Sequence, residues 1–325
     1  MLWLVERWQT RNLVSLVLWP LSLLYCALAV LKRWLYLRRI LPSYSQDVPV
    51  IVVGNITVGG AGKTPFVVWL VNWLKSQGKQ PGIVLRGYGG QSKYWPLTVT
   101  ATTSATEAGD EAVLLARQTG CPVVAAPDRV AAIRALLLEH DCSIVISDDG
   151  LQHYRMRRDL EIAVVDGMRR YGNGFCLPAG PLREPRWRAN RVDLVVVNGQ
   201  HGDDELGMTI EATGFRNLAN GETASPGYFI DRPVHAIAGI GNPDRFFLTL
   251  SQLGLQSNNH PFPDHYRFEP ADICPDGASD VIMTEKDAVK CESFADKRHW
   301  VLMVGAKPDT NLTKRLTDWL ESNIG

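Results

Sequence analysis

No excess of charge of either sign runs through this chain: 34 Lys and Arg are balanced by 34 Asp and Glu, for a formal net charge of zero. Sequence-independent binding to nucleic acid draws on cationic surface, so a nucleic-acid partner is not expected. Six cysteines are present (26, 121, 142, 176, 274 and 291), but no two form a C-x-x-C pair. They read as reduced cytosolic thiols rather than a disulfide framework or a zinc site. Internal repeats and low-complexity tracts are missing. Charged residues make up 21% against 46% hydrophobic, which excludes global disorder. A chain of 325 residues then suggests about two domains.

What is present begins with a long apolar run. Leu13 to Leu31 (LVSLVLWPLSLLYCALAVL) carries no charge and is long enough to approach the thickness of a hydrocarbon core as a helix. Pro20 lies inside it and predicts a kink. Trp3, Trp8, Trp19, Trp34 and Tyr36 suit interfacial anchors, and Lys32, Arg33, Arg38 and Arg39 follow directly. That basic cluster belongs on the cytoplasmic side, so the rest of the chain is expected there too. A spanning helix and one lying in the interface are both open. A cleaved signal sequence ending at Ala27-Leu28-Ala29 and an ordinary buried core helix are the weaker readings.

Beyond residue 40 the chain alternates short β-branched runs with helical stretches. Pro49–Asn55, Gly82–Arg86, Pro122–Ala126, Ser143–Ser147, Glu161–Asp166 and Asp193–Asn198 read as strands. Helical patterns run from the glycine-rich turn to about Gln77, over Asp110–Gln118, and from an Asp128 cap to about Glu139. The pattern predicts an α/β fold: a P-loop NTPase-like parallel or mixed sheet with helices on both faces. Around Gly199–Glu205 the composition turns polar and predicts a linker. A second α/β pattern follows, with strands at His235–Ala238, Val281–Thr284 and Trp300–Val304 and helices at Pro243–Leu253 and Asn311–Leu320. The expected organisation is an anchor with its basic flank (1–40), a P-loop kinase core (41–200) and a smaller C-terminal α/β domain (201–325). The last helix is free to pack back on the core.

Between the first strand and its helix lies Thr57-Val58-Gly59-Gly60-Ala61-Gly62-Lys63-Thr64. Backbone N–H groups of such a loop cradle phosphate oxygens at a positive helix end. Lys63 is placed for the β- and γ-phosphates and the Thr64 hydroxyl for Mg²⁺. A strict motif has glycine where Thr57 stands. Ser143–Ser147 delivers Asp148-Asp149 at a strand's C-terminal end, where ligands of α/β sheets bind, and this suits a carboxylate holding Mg²⁺. Which of the two faces the metal is left open by the sequence. A guanine-reading N-K-x-D is lacking: Asn198 is followed by Gly199-Gln200-His201, and Thr284-Glu285-Lys286-Asp287 has the wrong spacing. An LSGGQ signature is also missing. GTP is therefore disfavoured.

GNITVGGAGKTP (54–65), RGYGG (86–90), GDE (109–111), SDDGLQHYRMRRD (147–159), LPAGPLREP (177–185), AGIGNPDRFF (238–247), FPDHYRF (262–268) and TEKDAVK (284–290) occur in this order. Together they resemble the tetraacyldisaccharide 4′-kinase family over about residues 1 to 305, and that family tolerates the threonine at 57. The resemblance implies a kinase on the cytoplasmic face of the Gram-negative inner membrane. It implies transfer of the ATP γ-phosphate to the 4′-hydroxyl of tetraacyldisaccharide 1-phosphate, giving lipid IVA in lipid A biosynthesis. Lipid substrate and membrane surface are the implied partners, with no obligate protein partner. It also implies that Asp110 of GDE acts as catalytic base with a histidine of the smaller domain, His265 by motif. A carboxylate–imidazole pair accepts a hydroxyl proton near neutral pH.

Gln152, His153 and Arg183 are candidates for substrate or phosphate contacts, and Glu184 for orienting Mg²⁺ or Arg183. Residues 151–191 hold nine arginines against Asp159, Glu161, Asp166 and Glu184, a basic excess that suits an anionic headgroup or bilayer surface. The competing readings are a membrane-tethered P-loop switch and a P-loop kinase of a soluble sugar. The switch lacks base-recognition elements, and the soluble kinase leaves Leu13–Leu31 unexplained.

Overall fold

Val50 and Val52 enter one apolar cluster, Ile51 and Val53 another, and all four are buried. A strand sends alternate side chains to opposite faces, so β1 (Val50–Gly54) must be covered on both. The computed structural model describes residues 7–275 and 279–324. Helix α1 (Leu13–Leu37) precedes β1. Next come α2 (Lys63–Ser76), β2 (Pro81–Leu85), β3 (Leu97–Val99), α3 (Ala105–Ala108), α4 (Asp110–Thr119) and β4 (Val123–Ala125). Then α5 (Arg129–Glu139), β5 (Ile144–Asp148), β6 (Leu160–Asp166) and β7 (Leu194–Asn198) complete the first half. The second half holds β8 (Leu206–Asn217), β9 (Thr223–Ala224), β10 (Val234–Ala238), α6 (Pro243–Gln252) and β11 (Ser257–Pro261). It ends with β12 (Asp280–Thr284), α7 (Glu285–Cys291), β13 (His299–Pro308) and α8 (Thr310–Ile324).

The described strands form one mixed sheet in the order β11-β10-β12-β13-β8-β7-β6-β1-β5-β2-β4-β3, with β9 on β8. Pairings within each half are parallel except β3–β4, β8–β9 and β8–β13. The halves join at the parallel β7–β8 pair, and within the second half the long antiparallel β8–β13 pair, from Trp300↔Asn217 to Pro308↔Met208, ties β8 to the parallel strands beyond it. The residues 199–205 expected as a linker form a loop, but the sheet does not break there, because β8 starts beside β7. The second half has its own two-sided core. Ala236, Ile282 and Leu302 lie on one face and Ile237, Met283 and Val301 on the other. Helix α8 returns to the first half: Leu312, Leu316 and Leu320, one turn apart, join the cluster of Ile51 and Phe66.

Asn12 caps α1 in a reciprocal box with Ser15, and Asp128 caps α5 through the Val130 N–H. Helix α1 runs on past the expected Leu31 and continues through Pro20. Its most apolar stretch is only 11% buried, which removes the core-helix reading. Its small and polar positions face the body. Ser22 Oγ donates to the Cys176 carbonyl at 2.7 Å, the tilted rings of Tyr36 and Tyr154 have centroids 6.2 Å apart, and Arg33 lies over the Trp187 ring at 5.7 Å. Just before the helix, Trp8 Nε1 donates to the Pro178 carbonyl at 3.0 Å.

Candidate functional site

Every carbonyl along the crest of the phosphate loop is held from outside. Asn55 Nδ2 donates to the Gly59 carbonyl at 3.2 Å, Arg169 Nη2 to Gly60 at 2.9 Å and Asn198 Nδ2 to Ala61 at 3.0 Å. The N–H groups of Gly59 to Lys63 make no hydrogen bond within the described residues, so an anion can take them at the start of α2. Val58 N–H is tied to the Pro181 carbonyl at 2.8 Å, and Thr57 bridges Leu182. Gly62 is left-handed at φ 88°, and a Cβ there would lie 2.3 Å from Asn198 Nδ2. Only glycine meets both demands. Lys63 and Thr64 form the first turn of α2.

Asp148 and Asp149 leave β5 in different surroundings. Asp148 is 2% exposed, and its Oδ1 has no hydrogen-bond partner. Burial, then neighbouring Glu111, pushes its carboxyl up to about 7. Asp149 has φ 50°. Its carboxylate accepts from Arg183 Nη1 at 2.9 and 3.0 Å and lies 3.5 Å from Lys63 Nζ. Burial alone would raise it, but Lys63 and Arg183 outweigh burial and hold it far below the carboxylate range. A divalent cation fits beside Asp148, whose buried carboxylate has an oxygen without a hydrogen-bond partner. Among the described residues no three His, Cys, Asp or Glu side chains cluster as metal ligands. A cation here would thus take most of its oxygens from phosphate and water, as Mg²⁺ commonly does.

The remaining candidates divide. Arg183 lies against the phosphate loop, its N–H on the Ile56 carbonyl at 2.7 Å. Gln152 Nε2 donates to the Asn55 carbonyl and to Glu184 Oε2, both at 3.1 Å. Glu184, 3% exposed, also accepts from the Tyr154 hydroxyl and lies near Arg188. The structure thus engages Glu184 in bracing the strap that carries Arg183, apart from Asp148. His153 sits 3.5 Å from Asp128, and burial, then Arg129, lowers it to about 4, so it is neutral at neutral pH. Six of the nine arginines between 151 and 191 are also spent internally, in Arg155–Asp128, Arg158–Glu161, Arg169–Asp166, Arg170–Glu205, Arg183–Asp149 and Arg188–Glu161 contacts. Most of the expected basic face is therefore neutralised within the protein.

Across the loop, the second half completes the site. A Cβ on Gly241 would meet Gly60 N at 3.1 Å, so the turn after β10 lies over the phosphate loop. Arg245 Nη2 donates to Asn198 Oδ1 at 2.8 Å, linking α6 to the Ala61 clamp. His265, in a left-handed turn at φ 60°, approaches Asp110 of α4: Nδ1 to Oδ2 is 3.1 Å. Tyr88 packs on the imidazole with ring centroids 4.7 Å apart. Burial would raise the Asp110 carboxyl. The His265 hydrogen bond and the Lys286 and Lys290 cations outweigh it and hold Asp110 below its ordinary value. The structure thus brings together residues 155 apart in sequence. Lys286, Asn198, Arg245 and Tyr88 are site neighbours to which motif reading gave no role here, Asn198 and Lys286 having been weighed only against a guanine-reading motif. Tyr88, Arg245 and Lys286 stood inside RGYGG, AGIGNPDRFF and TEKDAVK.

A family model described as LpxK, tetraacyldisaccharide-1-P 4′-kinase, matches residues 14–321. The chain belongs to this family. Among curated relatives, the tetraacyldisaccharide 4′-kinase of Nitrosococcus oceani is 46% identical over 91% of this chain and 88% of its own length. That of Hahella chejuensis is 44% identical over 97% and 95%. Among solved structures, the "apo"-form LpxK of Aquifex aeolicus in complex with ATP matches with TM-score 0.80 and 30% identity, covering 95% of this chain and 99% of that one.

Proposed function

We propose that this chain transfers the γ-phosphate of ATP to the 4′-hydroxyl of a tetraacyldisaccharide 1-phosphate at a membrane surface, as a step of lipid A biosynthesis. Family membership carries the reaction. The 3.1 Å contact between Asp110 and His265 supports the assignment of roles. The free N–H groups of Gly59–Lys63 and the Lys63 ammonium bind the triphosphate, and Asn198 and Arg169 keep the loop open from behind. Asp148 and the Thr64 hydroxyl would hold Mg²⁺, which neutralises charge on the phosphates when bound. Arg183, poised by Asp149, meets charge developing on the transferred group. Asp110 accepts the 4′-hydroxyl proton as the new O–P bond forms and the bond to ADP breaks, while His265 orients the carboxylate. The two halves act as separate lobes in this reading, with the 201–325 lobe supplying His265 and the cover over the phosphate loop.

The membrane side is α1. Leu13, Val17, Leu21, Leu24, Leu28 and Leu31 are all exposed and recur at helical spacing. The opposite side touches the body from Trp8 to Tyr36. A helix spanning the bilayer has no room for a globular body along its whole length, so α1 lies in the interface with its leucines in the lipid. Lys32, Arg33, Arg38 and Arg39 then sit at headgroup level, on the cytoplasmic face where ATP is available. The deciding experiment follows labelled γ-phosphate from Mg-ATP onto tetraacyldisaccharide 1-phosphate in mixed micelles. Label on the lipid, lost in Asp110→Asn, supports the reading. Intact ATP binding with an unlabelled lipid overturns it.

A further inference from the structure

The first turn of α7 places a third ionisable side chain on the Asp110–His265 pair. Lys286 Nζ lies 3.3 Å from His265 Nε2, 3.2 Å from Glu111 Oε1 and 3.3 Å from Asp264 Oδ1. An ammonium has three N–H bonds and no lone pair, so in any hydrogen bond with these neighbours it is the donor. Nε2 can accept only when it carries no proton. The imidazole proton is then on Nδ1, where it donates to Asp110 Oδ2. The other Asp110 oxygen accepts the Glu111 N–H at 2.9 Å. Burial would discharge Lys286, but Glu111, Asp110 and Asp264 outweigh burial and hold the ammonium above its usual range.

We infer that Lys286 is a positioning residue of the transfer reaction, keeping His265 a neutral Nδ1–H imidazole so that Asp110 remains a free base. Its action runs through Nε2. A second proton there would have to displace the ammonium's hydrogen bond and form beside its charge. An imidazolium facing Asp110 would be a tighter ion pair and would make the carboxylate a weaker base. Among the described residues the charged groups facing the pair come from three elements. Asp110 and Glu111 come from α4, Asp264 from the loop before His265, and Lys286 and Lys290 from α7, with Tyr88 on the ring face. Lys290 is committed to Asp287 at 2.7 Å, which leaves Lys286 as the cation on Nε2. The inference rests on the reading of Asp110 as proton acceptor.

A competing role is mechanical, because the Lys286–Glu111 pair also ties the two halves together. The test separates the two with full-length protein, using steady-state rates against pH and ¹⁵N NMR of labelled histidine without nucleotide. In the parent, the His265 Nε2 resonance is that of an unprotonated nitrogen at neutral pH. In Lys286→Met it gains a proton at higher pH than in the parent. The acid limb of kcat shifts upward with it, because the form with neutral His265 and free Asp110 is then lost at higher pH. The kcat falls on the order of 10-fold, with KM for ATP unchanged, and Lys286→Arg restores part of the rate. A protonated Nε2 in the parent at neutral pH overturns the inference without any variant. So does a Lys286→Met enzyme in which His265 Nε2 keeps the parent's protonation behaviour, whatever its rate. Lys286→Gln is read the same way if Lys286→Met fails to fold. Asp110→Asn and His265→Ala enzymes that turn over normally would instead remove the underlying base reading.

Discussion

Two adjacent aspartates illustrate how far surroundings separate identical side chains. Asp149 is stabilised as an anion by Lys63 and Arg183, whereas Asp148 is buried with an oxygen unpartnered. Its folded value of about 7 lies above the 3.8 of an ordinary carboxyl. Below pH 3.8 the group is protonated folded or unfolded, and costs nothing. Between the two values the unfolded chain gives up a proton that the folded chain keeps, so stability falls as pH rises through that window and the deficit is constant above it. Asp148→Asn therefore gains thermal stability over the parent progressively from about pH 4 to about pH 7, then levels off. Melting curves across pH check this, and a pH-independent offset would refute it. Lys63→Ala should lower kcat by at least about 10²-fold while circular dichroism stays unchanged. Near-normal turnover would remove Lys63 from the phosphate site. At this scale the Gly-Lys-Thr turn was legible because its chemistry is local. The setting of Lys286 and Glu184 was not, because their partners lie on other elements.

Elements with apolar strands or clear caps were legible. Val50–Gly54, Ile144–Asp148 and the Asp128-capped helix fall within a residue or two of the sequence reading. Ser257–Pro261 was missed for a physical reason. SNNHP carries no alternating apolar residues because β11 is an outer strand of the sheet and mostly solvated. Helix α1 was recognised as apolar, but which side meets the protein was hidden, since Ser15 and Ser22 rather than leucines are its buried positions. Serine replacement of Leu13, Val17, Leu24 and Leu28, each more than half exposed, should abolish sedimentation with anionic lipid vesicles. The melting temperature without lipid should stay unchanged. Persistent vesicle binding would shift the contact surface to the body of the protein.

At the level of the whole molecule, the α/β class and the two successive α/β patterns could be read from strand–helix alternation. The junction could not. Residues 206–217 (LGMTIEATGFRN) lack a continuous apolar run because the strand passes between two cores, and its burial alternates accordingly. Antiparallel pairing with β13 leaves no local signature. The return of α8 to the first half makes the core of the phosphate lobe depend on the end of the chain. Leu316→Ala, at a fully buried position, should cost about 2–5 kcal/mol in urea unfolding. A loss below about 0.5 kcal/mol, the range of ordinary surface substitutions, would show that α8 is dispensable to that core.

The docking of α1 along the body has a kinetic corollary. An enzyme held flat on a bilayer meets an acylated sugar by lateral diffusion, so encounter is counted per unit area rather than per unit volume. Diluting the substrate with inert lipid at constant bulk concentration should slow such an enzyme, and adding buffer should not. Its natural Michaelis constant is a surface mole fraction.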